Sequence, residues 1–308
     1  MEHTMDKIVV SGGTGLIGSA LIRGLAERGN DVVILTRKDN NVSENNRVRY
    51  VQWDAQTAAG SWIKELEDAS VIINLAGENL GAGYWTSERK KRLLNSRLNA
   101  TQALYDAIKR SSNKPRLFIQ ASAIGIYGIS ATLVMNELTQ PGGDYLAEVG
   151  KKLEASTLPI EKLGIKRAII RTGIVLDMHK GALPKLLLPY KLLVGGRLGS
   201  GNQWLSWIHL KDEVNAILYI IDQHLDGVFN LTAPIPVTNA EAGRIISKVL
   251  RMPNWFPIPG FLLKAILGEM STLVLDGQNV VPARLLKEGF TFEFSDFESA
   301  FRNLMIKK

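Results

Sequence analysis

A glycine-rich turn set between a hydrophobic run and an amphipathic segment constrains this chain more than any other feature. Lys7 to Val10 supplies the run, and Gly12, Gly15 and Gly18 follow at intervals of three. The pattern suits a strand that turns sharply into a helix and holds a dinucleotide pyrophosphate there. The first glycine permits the tight turn, and the second removes the side chain that would block a phosphate. The third lets helix and strand pack closely. Free amides at the helix start, aided by the helix dipole, hold the anion. Thr14, Leu16 and Ile17 complete the loop and the first helical turn, and count among the expected cofactor contacts.

The surroundings strengthen this reading. Ile17, Ala20, Leu21, Gly24 and Leu25 share one helical face, and Glu27 to Gly29 reads as a helix end. Asp31 to Leu35 then forms a second buried strand, which completes a βαβ unit. The end of that strand selects the cofactor. An NAD site carries an acidic residue about 20 positions beyond the loop, on the ribose 2′-hydroxyl. Here the place is taken by Thr36, Arg37 and Lys38. No carboxylate repels a 2′-phosphate, and Arg37 has the forked donors to grip one, so the expected cofactor is NADP(H). Val48 to Trp53 reads as a third strand. Asp54 behind it is placed either to meet the adenine edge or to serve as a turn aspartate.

Strand and helix signals alternate onward. Ser61 to Asp68 is helix-like, Val71 to Leu75 a strand and Ser87 to Arg110 a long helix. Leu117 to Ala121 and Arg167 to Val175 are strands around a helix from Tyr145 to Leu163. This is the order of an α/β fold with a doubly wound parallel sheet, a Rossmann fold, whose ligands sit beyond the carboxyl ends of the strands. Past residue 177 the rhythm breaks. The expected domains are a Rossmann unit over 1–176, completed by about 206–234, and a smaller mixed lobe from 177–205 and 235–308. With 308 residues and 45% hydrophobic content the chain can bury a full core. It has no cysteine, which suits a reducing cytoplasm, and no apolar run of membrane-spanning length. The net charge of +7 is scattered, without the basic and aromatic interleaving of nucleic-acid binders. The four histidines lack metal-ligand spacing, and His209 reads as structural. The expected partner is therefore a small molecule, with no nucleic acid, membrane or metal. A homodimer is carried as a further expectation.

Several strings resemble the short-chain dehydrogenase/reductase superfamily in its extended form. Asn74 to Gly77 resembles the strand-four motif, and Phe118 to Gly128 the strand-five segment of sugar-nucleotide epimerases. Four strings are similar to an atypical NAD-dependent epimerase/dehydratase-like group, often labelled SulA-type cell-division inhibitor. They are NLAGENL from Asn74, GGRLGSGNQWLSWIH from Gly195, LTAPIPVTNA from Leu231 and GQNVVPARLLKEGF from Gly277. The resemblance implies NADP(H) binding and a C-terminal domain of undefined role.

Carried over residue by residue, the resemblance is incomplete at the chemistry. The superfamily uses a tyrosine acid/base, a lysine four residues later and a Ser or Thr hydroxyl. Tyr145 stands at the tyrosine position, but Val149 replaces the lysine, and Lys151 and Lys152 project differently. Ala123 aligns with the serine, with Ser122 one residue early and thus on the opposite strand face unless a bulge shifts it. Without a nearby cation Tyr145 keeps a pKa near 10, which favours proton donation over removal. Glu78 is the expected substitute base, facing the nicotinamide end with Asn79, or else a turn residue. The resemblance places Leu75, Ala76, Gly77, Arg97 and the Val175 backbone against the cofactor. Trp85, Gln203 and Trp207 are candidates to line a pocket, and Glu154 reads as a solvated helix residue with a family role left open. The resulting expectation is an NADP(H)-binding oxidoreductase or epimerase acting on a small carbonyl or hydroxyl compound. The alternative is a catalytically weak NADP(H)-sensing regulator, linked to cell division only by the label.

Overall fold

A computed structural model describes residues 6–38 and 45–306, so the outer ends of the two expected domains lie outside the described residues. Its centre is one seven-stranded sheet. The strands are β1 (Lys7–Ser11), β2 (Asp31–Thr36), β3 (Val48–Gln52), β4 (Val71–Asn74), β5 (Leu117–Ala123), β6 (Lys166–Thr172) and β7 (Gly227–Leu231). Their spatial order is β7-β6-β5-β4-β1-β2-β3, and every pairing is parallel. The order reverses beside β1, so a crevice opens at the carboxyl ends of β1 and β4, where doubly wound sheets bind ligands.

Helices cover both faces because the strands are apolar on both sides. On one face α1 (Leu16–Glu27) and α4 (Leu210–Asp222) pack with Leu21, Leu25, Ile217 and Ile220 over Val10, Ile34 and Ile170. Opposite them lies α2 (Ser87–Arg110), which buries Ala100, Ala103, Leu104 and Ala107 against Val9, Ile72 and Phe118. Next to α2 runs α3 (Tyr145–Ser156).

Three expected elements are broken, each for a local reason. The helix predicted to Leu163 ends at Ser156. Pro159 then starts a separate turn, Leu158–Glu161, because proline suits only the first turn of a helix. The strand predicted through Val175 is interrupted at Gly173, where a Cβ would lie 2.4 Å from Ser206 O. The stretch Trp204 to His209, which reads from the sequence as one short strand, splits at Ser206, whose hydroxyl donates to Gln278 O at 2.7 Å and accepts from Val280 N at 2.8 Å.

A second core gathers Leu183, Leu187, Ile246, Phe297 and Phe301 from the expected lobe around Trp207. One part of the predicted lobe belongs elsewhere. Leu285, Phe290 and Phe292 join the α1/α4 core of the sheet, so the chain returns to the Rossmann unit after forming the lobe.

Candidate active site

The loop after β1 closes on itself before α1 begins. Gly15 N donates to Gly12 O at 3.1 Å. Gly12 has φ +73°, and a Cβ there would sit 2.5 Å from Leu75 O, so neither conformation nor space admits a side chain. A Cβ on Gly18 would lie 2.5 Å from Gly12 O, so its absence lets α1 abut the loop. Gly15 differs. Its Cβ position meets Gly12 O at 3.3 Å and otherwise open space. Gly15 is also the N-cap of α1, with no side-chain cap, which leaves first-turn amides for an incoming anion. These residues fit a dinucleotide pyrophosphate. Thr14 is exposed at the loop, while Leu16 and Ile17 pack down onto the core. Gly13 went unnoticed in the linear pattern, yet a Cβ there would meet Ile22 and Ile34 at 2.6 and 2.7 Å.

At the end of β2, Thr36 is buried and its Oγ1 accepts from Lys38 N at 3.2 Å, while Arg37 is exposed beside it. Asp54 accepts from the amides of Gln56 and Thr57 and from the Thr57 hydroxyl, at 2.8, 2.9 and 2.6 Å. The Thr57 hydroxyl above all holds its carboxyl below the usual range. Asp54 thus staples a turn.

Beyond Leu75, Ala76 and Gly77 opens a cavity of about 580 Å³, bounded by the ends of β5 and β6, by α3 and by residues 269–278 of the lobe. Arg97 projects from α2 over Gly77, where a Cβ would lie 3.0 Å from the guanidinium carbon. It donates to Leu93 O at 2.8 Å and to Glu78 O at 3.0 Å. Burial lowers its pKa, opposed by Tyr145 and Glu78.

The structure corrects several expected positions. Glu78 is ion-paired with Arg89 and does not line the cavity, so it is not placed to act as a base there. Arg89 also donates to Asn79 O at 2.8 Å and locks the loop. Val175 has its side chain in the core and its backbone paired with Ile208, and its neighbour Ile174 lines the cavity. Trp85 does line the cavity, but Trp207 sits in the second core, and Trp204 occupies the wall. Gln203 is buried behind that wall, donating to Leu198 O at 3.0 Å and Val274 O at 2.9 Å. His209 caps α4, accepting from Lys211 N at 3.0 Å.

Tyr145 opens α3 and reaches the cavity. Its ring meets Trp85 edge-on at 5.4 Å, and its hydroxyl donates to Lys90 O at 3.0 Å. Burial raises its pKa, Arg97 works against that, and Glu269 adds to it. Arg97 is a nearby cation after all, but burial outweighs it. Val149, in the lysine position, is an apolar part of the wall, and Lys151 is ion-paired with Glu148.

The β5–β6 register runs unbroken to Ala123, so no bulge re-aims Ser122. Ser122 already faces α3, where its hydroxyl donates to Glu154 Oε1 at 2.8 Å, and it lines the cavity. Glu154 is therefore no solvated residue. Arg171 of β6 clamps both its oxygens, at 2.9 and 2.8 Å, with the two side chains 8% and 13% exposed. Arg171 also donates to Tyr127 Oη at 2.9 Å, and Tyr127 donates to Asn230 Oδ1 at 2.7 Å. Burial alone would lower the Arg171 pKa, but the Glu154 contacts outweigh it and raise it. Sequence reading missed this pair. The available signal was an arginine ending the buried run of β6, since a buried cation requires an anion. Beside it, Thr172 donates to Glu213 Oε1 at 2.8 Å. Glu213 is fully enclosed, and burial pushes its carboxyl up to about 8.

The comparisons with known proteins extend over the whole chain. Residues 8–148 match the NAD dependent epimerase/dehydratase family, and residues 258–304 match a domain of unknown function, DUF1731. Epimerase family protein YfhF of Bacillus subtilis is 40% identical over 97% of each chain. The chain belongs to the NAD-dependent epimerase/dehydratase family. Among solved structures, the human epimerase family protein SDR39U1 with NADPH aligns at TM-score 0.87 and 30% identity, covering 98% of this chain and all of that one. A nucleoside-diphosphate sugar epimerase from Corynebacterium glutamicum aligns at TM-score 0.77 and 30% identity, over 98% of this chain and 58% of that one. Within this epimerase-family chain, the glycine loop, Arg97, Ser122 and Tyr145 all fall in the part that the family model matches. Glu154 and Arg171 fall outside it, and Glu269 to Gln278 of the cavity belong to the DUF1731 segment.

Proposed function

We propose that the protein is an NADP(H)-dependent oxidoreductase or epimerase acting on a small carbonyl or hydroxyl compound. The observation that carries this reading is a cavity of about 580 Å³ beside a phosphate-ready loop, with Tyr145 and Ser122 both on its wall. The NADPH in the human relative supports the choice of cofactor. When bound, the cofactor supplies or accepts a hydride at the substrate carbon. Gly12, Gly15, Gly18 and the first amides of α1 would hold its pyrophosphate. Arg37 would meet the 2′-phosphate, and Leu75, Ala76, Gly77 and Arg97 would flank its nicotinamide end.

The chain's own contribution is proton handling within a largely apolar wall. The Tyr145 phenol keeps its proton at neutral pH, because burial holds its pKa above the ordinary value. It serves as a donor to a carbonyl oxygen once that oxygen replaces Lys90 O as its acceptor. Ser122 gives its own proton to Glu154, so the serine oxygen is left to accept from a substrate hydroxyl. In the oxidising direction the substrate proton passes to Ser122 while the serine proton passes to Glu154, and reduction runs the same relay backwards while Tyr145 polarises the oxygen by its hydrogen bond. The charged Arg171 fixes the carboxylate for that transfer. Val149, Trp85 and Trp204 keep the chamber apolar, which strengthens each of these interactions.

The test uses NADPH deuterated at the transferable C4 position, incubated with the protein in a metabolite extract. Mass spectrometry is expected to find deuterium in a metabolite, and Tyr145→Phe to cut that transfer by about 10²-fold or more while NADPH binding persists. No label, with NADPH bound in the same sample, refutes net reduction and restricts the chemistry to internal hydride return. Unchanged transfer in Tyr145→Phe removes the phenol from the mechanism. Separately, Arg37→Glu is expected to weaken NADPH by about tenfold or more and to leave NADH nearly unaffected. Equal losses for both, measured by titration, would remove the 2′-phosphate contact.

A further inference from the structure

The helix Gly260–Leu267 has the composition of a core helix, yet it buries none of its side chains. Phe261 is 75% exposed, and Leu262 and Ile266 are exposed with it. The segment before it presents Trp255, 74% exposed, and Phe256. That segment is laced to a distant one. Trp255 Nε1 donates to Leu193 O at 3.1 Å, Phe256 N to Gly195 O at 3.1 Å and Ile258 N to Arg197 O at 2.9 Å. The exposed Leu192 and Leu193 therefore join the same face. Contiguous apolar surface of this kind marks an interaction site.

Charge identifies what covers it. Neither residues 178–211 nor residues 242–268, the two stretches that build the face, contain any Asp or Glu. Lys185, Lys191, Arg197, Arg251 and Lys264 are exposed along them. The acid that follows in sequence, Glu269, is paired with Lys90. A second copy of this chain fits poorly, because a twofold contact sets a surface against itself and would bring like charges together. Aromatic and aliphatic side chains framed by cations, with no Asp or Glu in either stretch, match an anionic bilayer surface. Among the described residues no helix is long and apolar enough to cross a membrane, so the association is peripheral.

We propose that this face docks the protein on an anionic lipid bilayer. Trp255, Phe256, Phe261 and Ile266 enter the headgroup boundary, and Lys191 and Lys264 meet lipid phosphates. The same helix runs into Glu269, Thr272 and Leu273, which line the cavity, so docking sets that wall of the cavity against the lipid surface. Membrane contact was not expected from the linear sequence. The face exists only where two separated stretches meet.

The test is flotation of the full chain with vesicles of phosphatidylcholine alone or with phosphatidylglycerol added. Partition onto the anionic vesicles is expected to exceed that onto neutral ones by about tenfold or more, and to collapse at high salt. Lys191→Glu with Lys264→Glu is expected to remove about tenfold or more of it. Trp255→Ser with Phe261→Ser should do the same, with NADPH affinity unchanged in both variants. Absence of flotation, equal flotation with neutral vesicles, or flotation undiminished in either double variant overturns the proposal. A dimer in light scattering that Trp255→Ser with Phe261→Ser converts to monomer also overturns it, and assigns the face to a second copy.

Discussion

Arg171→Met is expected to lower folding stability by about 3–5 kcal/mol, the usual cost of leaving one member of a buried ion pair alone. Glu154 would then stand behind the cavity wall with only the Ser122 hydroxyl, and Tyr127 would lose its Arg171 donor. Two charges this enclosed repay their desolvation only through good geometry, and the two parallel contacts at 2.9 and 2.8 Å provide it. The double variant Arg171→Met with Glu154→Leu should recover much of the loss, because it removes both desolvated charges together. Urea unfolding of the two singles and the double closes the cycle. Additive losses would mean that the pair is not coupled. The same variants bear on the proposed chemistry. Glu154→Leu should depress hydride transfer in the oxidising direction, since Ser122 loses its acceptor, while NADPH binding should stay as it was.

The second large effect is a pH dependence. Glu213 has a carboxyl raised from 4.5 to about 8 by burial, relieved only in part by the Thr172 hydroxyl. The folded protein therefore keeps a proton that the unfolded chain releases above pH 4.5. Between the two values the unfolded state binds fewer protons, so stability falls as pH rises through that window and is fully present below it. Across the whole interval the contribution is on the order of 4 kcal/mol. Glu213→Gln keeps the acceptor for Thr172 and cannot ionise, so its unfolding midpoint should lose much less between pH 5 and 8.5 than the parent's. Equal pH slopes for the two proteins would show that Glu213 does not titrate in this window. Thr172 borders the cavity, so the ionised form is also expected to loosen the β6 end of the site at alkaline pH.

The cofactor half was legible because its signals are local. Gly12 needs φ +73°, and Gly18 needs its missing Cβ atom, for reasons contained within a few residues. The parallel sheet followed from buried strands alternating with amphipathic helices, a periodicity each segment carries by itself. Pro159 and Gly173 show where such reasoning stops. Pro159 could have been weighed from the sequence as a break. Gly173 interrupts its strand because Ser206, far along the chain, packs against it.

The polar residues at the cavity were only half legible. Tyr145 and Ser122 stand out by resemblance. The carboxylate that Ser122 serves is Glu154, held by Arg171 from another strand, and no spacing rule links the three. Glu78 stood next to a recognised motif and was the natural substitute, but Arg89 on the following helix neutralises it. A side chain's chemistry depends on which charge lies within a few ångströms, and that is a property of packing.

By itself the sequence determined the parallel sheet and the glycine-rich turn into the first helix, because backbone geometry and short-range patterning suffice for each. Only the tertiary structure decided that Arg171 meets Glu154, that Glu213 is sealed from water, and that the DUF1731 segment walls the cavity. It likewise decided that two acid-free stretches form one exposed apolar face. Burial and charge pairing act across space between residues remote in the chain, so these features exist only once the chain has folded.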